Sequence, residues 1–425
     1  MKKKYHAFFS LPRQTRHKLW LVALLYLAEG LPFGFIYITL PVYLRTEGVD
    51  LVRIGLLSLA GLAWTLKPLW APLVDQYGRK WHWMSGALLG LSVSVFLLSG
   101  LKPQHPLYLS LVILMAFFSA TLDIAVDGYT IEILDEDELG PGNGVRVSAY
   151  RVALIASGGA LVALSQFIGF RLAFLGLGTF FLVLLAMVFF WPACHRPSPV
   201  RRTNLLAAYV QPLKDLLSRP YIWAVIPFIL LYKLPDALMG PMIYPFWVDR
   251  GFSRAEIGLV SGTLGTIFSI WGSLVGGWLT KILGLSRALW SLGALQALSN
   301  LGYAYAALPG TGRLAVYSAS IIESFTGGLG TAAFLAFLMR LCRREMSASQ
   351  YALLATLFSF SRTIAGALSG WGAERLGYAT YFFYTFLSAF PAFLLLPWVL
   401  KSLHTTSKAV TISADPPENR QGGKN

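Results

Sequence analysis

The chain is a series of apolar runs, each about twenty residues or longer, separated by short polar breaks. A helix of about 20 apolar residues crosses the hydrocarbon core of a bilayer, where backbone polar groups must bond within the segment itself. The runs lie at 19–44, 51–75, 81–101, 106–133, 144–168, 170–192, 220–248, 255–281, 287–308, 313–341, 348–374 and 378–400. Only 13% of the 425 residues are charged, against about 25% in soluble domains. We therefore predict an all-α membrane protein with 12 transmembrane helices.

Basic residues favour one side of this predicted array. Those that precede the first run, with no acid among them, are Lys2, Lys3, Lys4, Arg13, Arg16 and Lys18. Loops rich in Lys and Arg stay in the cytoplasm, so we predict that both termini are cytoplasmic. The net charge of +15 then reflects contact with lipid headgroups and not with nucleic acid. The first run is too long for a signal-peptide core, so we expect it to remain in the mature protein.

Two halves of the chain resemble each other. Residues 30–58 match residues 233–261 at a constant offset, which places Pro32 on Pro235. Two parallel six-helix halves, related by an axis along the membrane normal, are the architecture of the major facilitator superfamily. The parts that we predict are an N-terminal half at 1–193, a cytoplasmic linker at 194–219, a C-terminal half at 220–402 and a polar cytoplasmic tail at 403–425.

The segment APLVDQYGRKW (71–81), after the second run, resembles a loop motif of the same superfamily. Its candidate gating residues are Asp75, Gly78, Arg79 and Lys80. An acid at this point can approach the positive N-terminal end of a neighbouring helix. Run eleven opens with S-x-x-Q at 347–350, a capping box that defines such an end. We expect a structural gate, which carries no information about a ligand.

Several charges fall inside the predicted spans, where each costs a few kcal/mol on insertion scales. They are Glu29 in span one, Lys67 in span two, Asp123 and Asp127 in span four, Arg151 in span five, Lys233 and Asp236 in span seven, Glu323 in span ten and Arg362 in span eleven. In this architecture spans one, four, seven and ten line a central cavity. Glu29, Asp123, Asp236 and Glu323 are therefore candidates for proton coupling or substrate contact.

Asp123 and Asp127 are four residues apart, so both carboxyls share one helix face. Two like charges so close disfavour ionisation of both, and one acid is then suited to bind and release a proton. The alternative is a fixed ion pair with Lys67 or Arg151 that only holds helices together. We favour Asp123 for the proton or substrate pathway and expect Asp127 to pair with Arg151.

Lys233 and Asp236 are three residues apart on span seven and can neutralise each other. The cations Lys67, Arg151, Lys233 and Arg362 are candidates for substrate binding or charge pairing. Tyr37 and Trp64 are candidate aromatic residues of the cavity. Of the aromatic residues considered, these two are the least easily explained as part of an aromatic belt at the membrane interface.

No residue pattern indicates catalysis. The histidines lie in loops or tails, and the sequence holds neither a nucleotide-binding loop nor a metal-ligand spacing. We therefore expect no catalytic group, no metal and no cofactor. A membrane enzyme or a non-transporting sensor is the alternative class of function, and transport driven by ATP would need a partner subunit.

Six segments carry a specific family resemblance. They are YLAEGLPFG, WTLKPLWAPLVDQYGRK, TLDIAVDGYTIEIL, LLYKLPDALMGPM, IIESFTGGLGTAAFLAFLMRLC and SASQYALLATLFSFSRTIAGALSGW. Together they resemble the AmpG-type muropeptide permeases, in the peptide/acetyl-coenzyme A transporter branch of the major facilitator superfamily. The resemblance implies a monomeric importer of peptidoglycan fragments (anhydromuropeptides), driven by protons across a bacterial inner membrane through alternating access. That family keeps charged residues at the positions of Lys67, Asp123, Asp127, Lys233, Asp236, Glu323 and Arg362, whereas Glu29 looks more like other members of the branch.

One departure concerns the substrate. Muropeptide permeases carry two further C-terminal spans, where this chain has a polar tail at 404–425. Its length suits the twelve-span members of the branch, which include permeases for small siderophores. A siderophore or another small metabolite is therefore the alternative substrate. It would need a dry aromatic cavity, whereas the carboxylates and sugars of a muropeptide predict cationic, hydrogen-bonding walls.

Overall fold

The computed structural model describes residues 12–77, 79–135, 138–191, 205–343 and 347–413, and all regular structure in these ranges is helical. The helices are α1 (Arg13–Thr46), α2 (Leu51–Leu69), α3 (Ala71–Gln76), α4 (Lys80–Gly100), α5 (Leu107–Ile133), α6 (Leu139–Ile155), α7 (Leu161–Phe190), α8 (Leu205–Leu217), α9 (Ile222–Leu231), α10 (Leu234–Asp249), α11 (Arg254–Leu283), α12 (Leu285–Ala306), α13 (Arg313–Leu341), α14 (Ser347–Leu376), α15 (Tyr378–Leu387) and α16 (Phe390–Ser413). The predicted all-α class is confirmed.

Ten helical stretches in the described ranges are long and apolar enough to cross a membrane. One of them, Pro141–Phe190, has 50 residues, which is too long for a single pass at about 1.5 Å per residue. Its backbone turns at Gly169, with φ 79° and ψ 156°, at the boundary predicted between runs five and six. The 22-residue helix α12 is less apolar and is not among the ten. The count of twelve stays a prediction.

Glycine makes the tightest connections between consecutive helices. Gly169 joins the two parts of α7, and Gly377, with φ 71°, joins α14 to α15. A positive φ is open to glycine at little cost because it lacks a Cβ atom. These two single-residue turns occupy corresponding places in the two halves, and Gly284, with φ 77°, makes a third between α11 and α12.

The two halves meet at one face of the helix array. We call the face where α1 begins the terminal face, and the opposite one, which holds the end of α10, the distal face. At the distal face the guanidinium of Arg45 pairs with Asp249, with Nε and Oδ1 2.6 Å apart. The hydroxyl of Tyr378 donates to the same carboxylate over 2.7 Å. These bonds join α1 to the C-terminal half.

Glycine contacts close the same region. A Cβ added at Gly159 would lie 2.5 Å from the carbonyl oxygen of Gly258 on α11, and one at Gly262 would lie 2.5 Å from the Cα of Gly159. On the other side of the axis, a Cβ at Gly370 would clash with the carbonyl of Leu51. The main chains of the two halves are therefore in direct contact, and the distal face is closed.

A polar network fixes the linker helix to the C-terminal half. Asp215, at the end of α8, accepts hydrogen bonds from Arg219 over 2.6 Å and from Gln350 over 2.8 Å, and it pairs with Arg343 at 2.8 Å. Burial raises the pKa of Asp215, but these bonds outweigh that effect and the pKa lies below its usual value. The amide of Gln350 is thus bound to Asp215 and Arg343, whereas the side chain of Ser347 lies outside the described residues, so the capping box stays a prediction.

The domain boundaries stay predictions. The structure adds a helix, α8, inside the predicted linker, and α9 begins at Ile222. Helix α16 continues to Ser413, beyond residue 403, where we predicted the polar tail to begin.

Candidate functional site

A cavity of about 480 Å3 lies between the two halves. Its walls come from α1, α2, α6, α10, α11, α13 and α14. The charged residues that line it are Arg151, Lys233, Asp236, Glu323 and Arg362. Predicted spans one, seven and ten take part as expected. Span four, which is α5 and fully described, contributes no residue to the cavity wall, and the expectation that it would do so is wrong.

A break in the helix positions the first charged pair. Helix α9 ends at Leu231 and α10 starts at Leu234, with Pro235 in its first turn. Proline is favoured at this position because its missing N–H has no acceptor there. Lys233 stands at the break, and its Nζ lies 2.5 Å from Oδ2 of Asp236. The predicted Lys233–Asp236 pair is present in the structure, and the amide of Gln296 on α12 donates a further bond to this carboxylate.

Two arginines, one from each half, face the cavity. Arg151 lies on α6 and Arg362 on α14. Within the described ranges neither guanidinium forms an ion pair. Arg362 lies over the rings of Phe33 and Tyr37, 5.5 and 5.3 Å from their centroids. Such cation–π contacts hold a guanidinium in place while its N–H groups stay available.

The aromatic candidates divide between wall and support. Tyr37 lines the cavity, as predicted. Trp64 is not among the lining residues and packs behind Phe33 and Tyr37, with ring centroids 5.6 and 6.3 Å away. Its effect on the cavity is therefore to hold Tyr37 in position.

The cavity carries an excess of positive charge. Glu323, on α13, is the second acid of its wall and accepts a 3.4 Å hydrogen bond from Ser324. Three cations, Lys233 and the two arginines, thus face two carboxyls. With every group ionised, the wall has one net positive charge.

Five further charges form a separate group inside the N-terminal half, which we call the N-half charge cluster; Glu29 and Asp123 are buried, and the other three are partly exposed. Its members are Glu29, Lys67, Asp123, Asp127 and Arg146. Lys67 pairs with Asp123, so the ion-pair alternative for Asp123 matches the geometry. Asp127 pairs with Arg146 at 2.9 Å and accepts a 2.5 Å hydrogen bond from the hydroxyl of Tyr26. The expected Asp127–Arg151 pair is wrong.

Glu29 has no such partner. The residue is 7% exposed, and within the described part of the chain its Oε2 atom has no hydrogen-bond partner. The charges that act on it are those of Asp127, Lys67 and Arg146. The cluster therefore holds three carboxyls and two cations, the opposite excess to that of the cavity.

Sequence reasoning missed Arg146 and Gln296. Arg146 falls inside run five as we delimited it, so counting every charge within the run would have found it. Gln296 gives no comparable signal, because a neutral amide in a span has many structural uses.

Part of the predicted gating loop lies outside the described residues, namely Gly78 and the side chain of Asp75. Arg79 is exposed, whereas Lys80 is buried with its Nζ 3.4 Å from the carbonyl oxygen of Val74. The role of these residues as a gate stays a prediction. Among the described residues no three His, Cys, Asp or Glu side chains come together as a metal site would require.

Sequence comparison relates the chain to known transporters. Residues 19–366 match the Major Facilitator Superfamily. The chain is 33% identical to the anhydromuropeptide permease of Escherichia coli (strain K12), over 93% of this chain and 81% of that protein. It is 26% identical to putative transporter AmpG 4 of Rickettsia conorii, over 90% and 96% of the two chains.

Two solved structures have a similar fold at low identity. One is a bacterial homologue of the human lysosomal transporter Spinster, in an inward-facing and unoccupied conformation, with a TM-score of 0.75, 13% identity and coverage of 94% and 98%. The other is the nucleoside transporter NupG, with a TM-score of 0.72, 13% identity and coverage of 92% and 99%. At these identities the likeness concerns the fold alone.

Proposed function

Because the chain belongs to the AmpG-type anhydromuropeptide permease family of the Major Facilitator Superfamily, we propose that it imports anhydromuropeptides by proton-coupled alternating access. It lies in a bacterial inner membrane with both termini in the cytoplasm, so its terminal face is cytoplasmic and its distal face periplasmic. It acts as a monomer, without a catalytic group, resident cofactor or nucleic-acid partner.

The observation that carries this proposal is the excess positive charge of the cavity. Arg151 and Arg362 approach it from different halves and hold no carboxylate of the described chain. Guanidinium groups bind carboxylates through paired hydrogen bonds, which a peptide stem with several carboxylates can accept. Phe33 and Tyr37 support Arg362, and the hydroxyl of Tyr37 adds a polar group at the wall. A dry aromatic cavity, as a hydrophobic siderophore would need, lacks these charges.

An anionic substrate also gives the two halves a reason to close around it. Bound to arginines of α6 and α14, it links the N-terminal half to the C-terminal half. A ligand shifts a conformational equilibrium only by its difference in affinity between the two states. A carboxylate held by both arginines provides that difference, because either arginine moves away from it when the halves separate.

Uptake into membrane vesicles tests the proposal. We expect labelled anhydromuramyl tripeptide, and its disaccharide form, to accumulate in vesicles that contain the protein when a proton gradient is imposed, and to equilibrate without accumulation when it is absent. A control with vesicles that lack the protein excludes leakage. Uptake of a siderophore in place of both muropeptides, with folded protein present, would contradict the proposed substrate and leave the fold assignment intact.

A further inference from the structure

The N-half charge cluster is short of one positive charge. Among the described residues that we assign to it, three carboxyls face two cations, Lys67 and Arg146. A buried ion is stable only with a partner, since water is not there to solvate it. One bound proton would neutralise the cluster, and the question is which carboxyl holds it.

Hydrogen bonding separates the three acids. Asp123 is occupied by Lys67, and Asp127 by Arg146 and the hydroxyl of Tyr26. Each of these two carboxyls therefore has a cationic partner. Glu29 is 7% exposed and its Oε2 atom has no hydrogen-bond partner among the described residues, which suits a neutral carboxyl.

We propose that Glu29 is the carboxyl that binds the transported proton. This proposal rests on the proposed function, and it moves the proton from Asp123, which we favoured on sequence grounds, to an acid on α1. The step is a proton transfer alone: the carboxylate of Glu29 gains a proton in one state and returns it to water in the other, with no change in oxidation.

The surroundings of Glu29 couple this step to movement. The groups that act on Glu29 are Lys67 from α2, Asp127 from α5, Arg146 and Tyr150 from α6, and Tyr26 from α1 itself. Loss of the proton would leave a second anion beside Asp123 in the buried part of the cluster, so release requires water or a cation to reach Glu29. Asp127 and Arg146 have side chains that are 35% and 43% exposed, so they are the members of the cluster that water reaches most easily.

Transport by the variant Glu29→Gln tests the proposal, because a glutamine has the shape of a protonated glutamate and cannot release a proton. In vesicles loaded with unlabelled anhydromuramyl tripeptide, we expect E29Q to exchange it for labelled tripeptide as the wild type does. Under a proton gradient we expect its accumulation to fall to the level seen without a gradient. Gradient-driven accumulation by E29Q at the wild-type level would overturn the proposal.

A second measurement does not depend on any substrate. Infrared difference spectra of the purified protein, recorded across a pH titration, report the C=O stretch of a protonated carboxyl. We expect this band to lose intensity in E29Q and to keep it in Glu374→Gln, a matched change at an exposed residue. Identical bands in the wild type and E29Q would refute the assignment. Should E29Q fail to fold, Glu29→Asp retains a titrating carboxyl and must keep a band, shifted in position.

The two measurements separate the proposals. A wild-type protein that neither exchanges nor accumulates muropeptide, yet shows the Glu29 band, would contradict the substrate and retain the proton site. A protein that accumulates muropeptide, while the band is unchanged in E29Q, would support the proposed substrate and contradict the proton site.

Discussion

The N-half charge cluster and the central cavity are two groups of charge within the spans, and their excess charges have opposite signs. The cluster has one carboxyl too many and contains no group from the C-terminal half. The cavity has one cation too many and draws its charges from both halves. On our proposals, a proton neutralises the first and an anionic substrate the second. If both proposals hold, the proton site and the substrate site are separate in this protein, and the sign of the excess charge distinguishes them.

Removing one cation from each group should lower the stability of the protein by unequal amounts. This loss of stability is the largest effect that we expect. Lys67→Met leaves Asp123 buried without its partner, which costs about 3–5 kcal/mol. Lys233→Met is the matched change in the cavity. There Gln296 still donates to Asp236 and two arginines lie nearby, so we expect a cost of about 1–3 kcal/mol. Thermal unfolding in detergent measures both.

The double variant Lys67→Met, Asp123→Asn is the control for this comparison. It removes both members of the pair, so we expect it to recover much of the stability that K67M loses. Equal destabilisation by K67M and K233M would show that the sign of the excess charge does not matter.

The next effect concerns binding in the cavity. Arg362→Gln removes the excess positive charge and the guanidinium over Phe33 and Tyr37. Hydrogen bonds to a charged group contribute about 1.5–3 kcal/mol, so we expect about a ten- to hundredfold rise in the Kd for anhydromuramyl tripeptide. Isothermal titration of the purified protein checks this. Arg287→Gln, at an exposed position, should bind as the wild type does, and equal affinity in R362Q would exclude Arg362 from the binding site.

The smallest effect should come from a charge network outside both groups. Asp215 has a lowered pKa in the folded protein, so its contribution to stability is complete above the unfolded-state pKa of about 4 and is lost as the pH falls through the folded-state value. We expect the thermal midpoint to decline on acidification in that range. Asp215→Asn should reduce this decline, because the variant has a lower thermal midpoint near neutral pH to begin with. The same decline in both proteins would assign the pH dependence to another group.

The sequence predictions were more accurate for residues close together on one helix than for residues on different helices. The Lys233–Asp236 pair needed only a spacing of three on one helix, and the structure contains it. The partner of Asp127 depended on how α6 is rotated about its axis. Arg146 and Arg151 are five residues apart, which at about 100° per residue places them roughly 140° apart around the helix. One can therefore face α5 while the other faces the cavity, and a single sequence does not specify which.

The same limit applies to the cavity helices. The apolar runs and the repeat predicted the fold, because both depend on length and local pattern. Span four was expected at the cavity wall, whereas its acids turn toward α2 and α6 instead. Glu29 was placed among four acids that we assigned to the cavity. Only its burial and its missing hydrogen bond distinguish it, and neither is visible in a sequence.

The glycine contacts at the distal face bear on leakage. Side chains change rotamer within nanoseconds, whereas packed helices separate over microseconds to milliseconds. A mouth closed by side chains alone would open briefly with each rotamer change and let protons through without cargo. Between Gly159 and Gly258, and between Gly370 and Leu51, main chain meets main chain. Opening this mouth requires whole helices to part, so the closed state can keep the gradient intact while the protein waits for its next substrate.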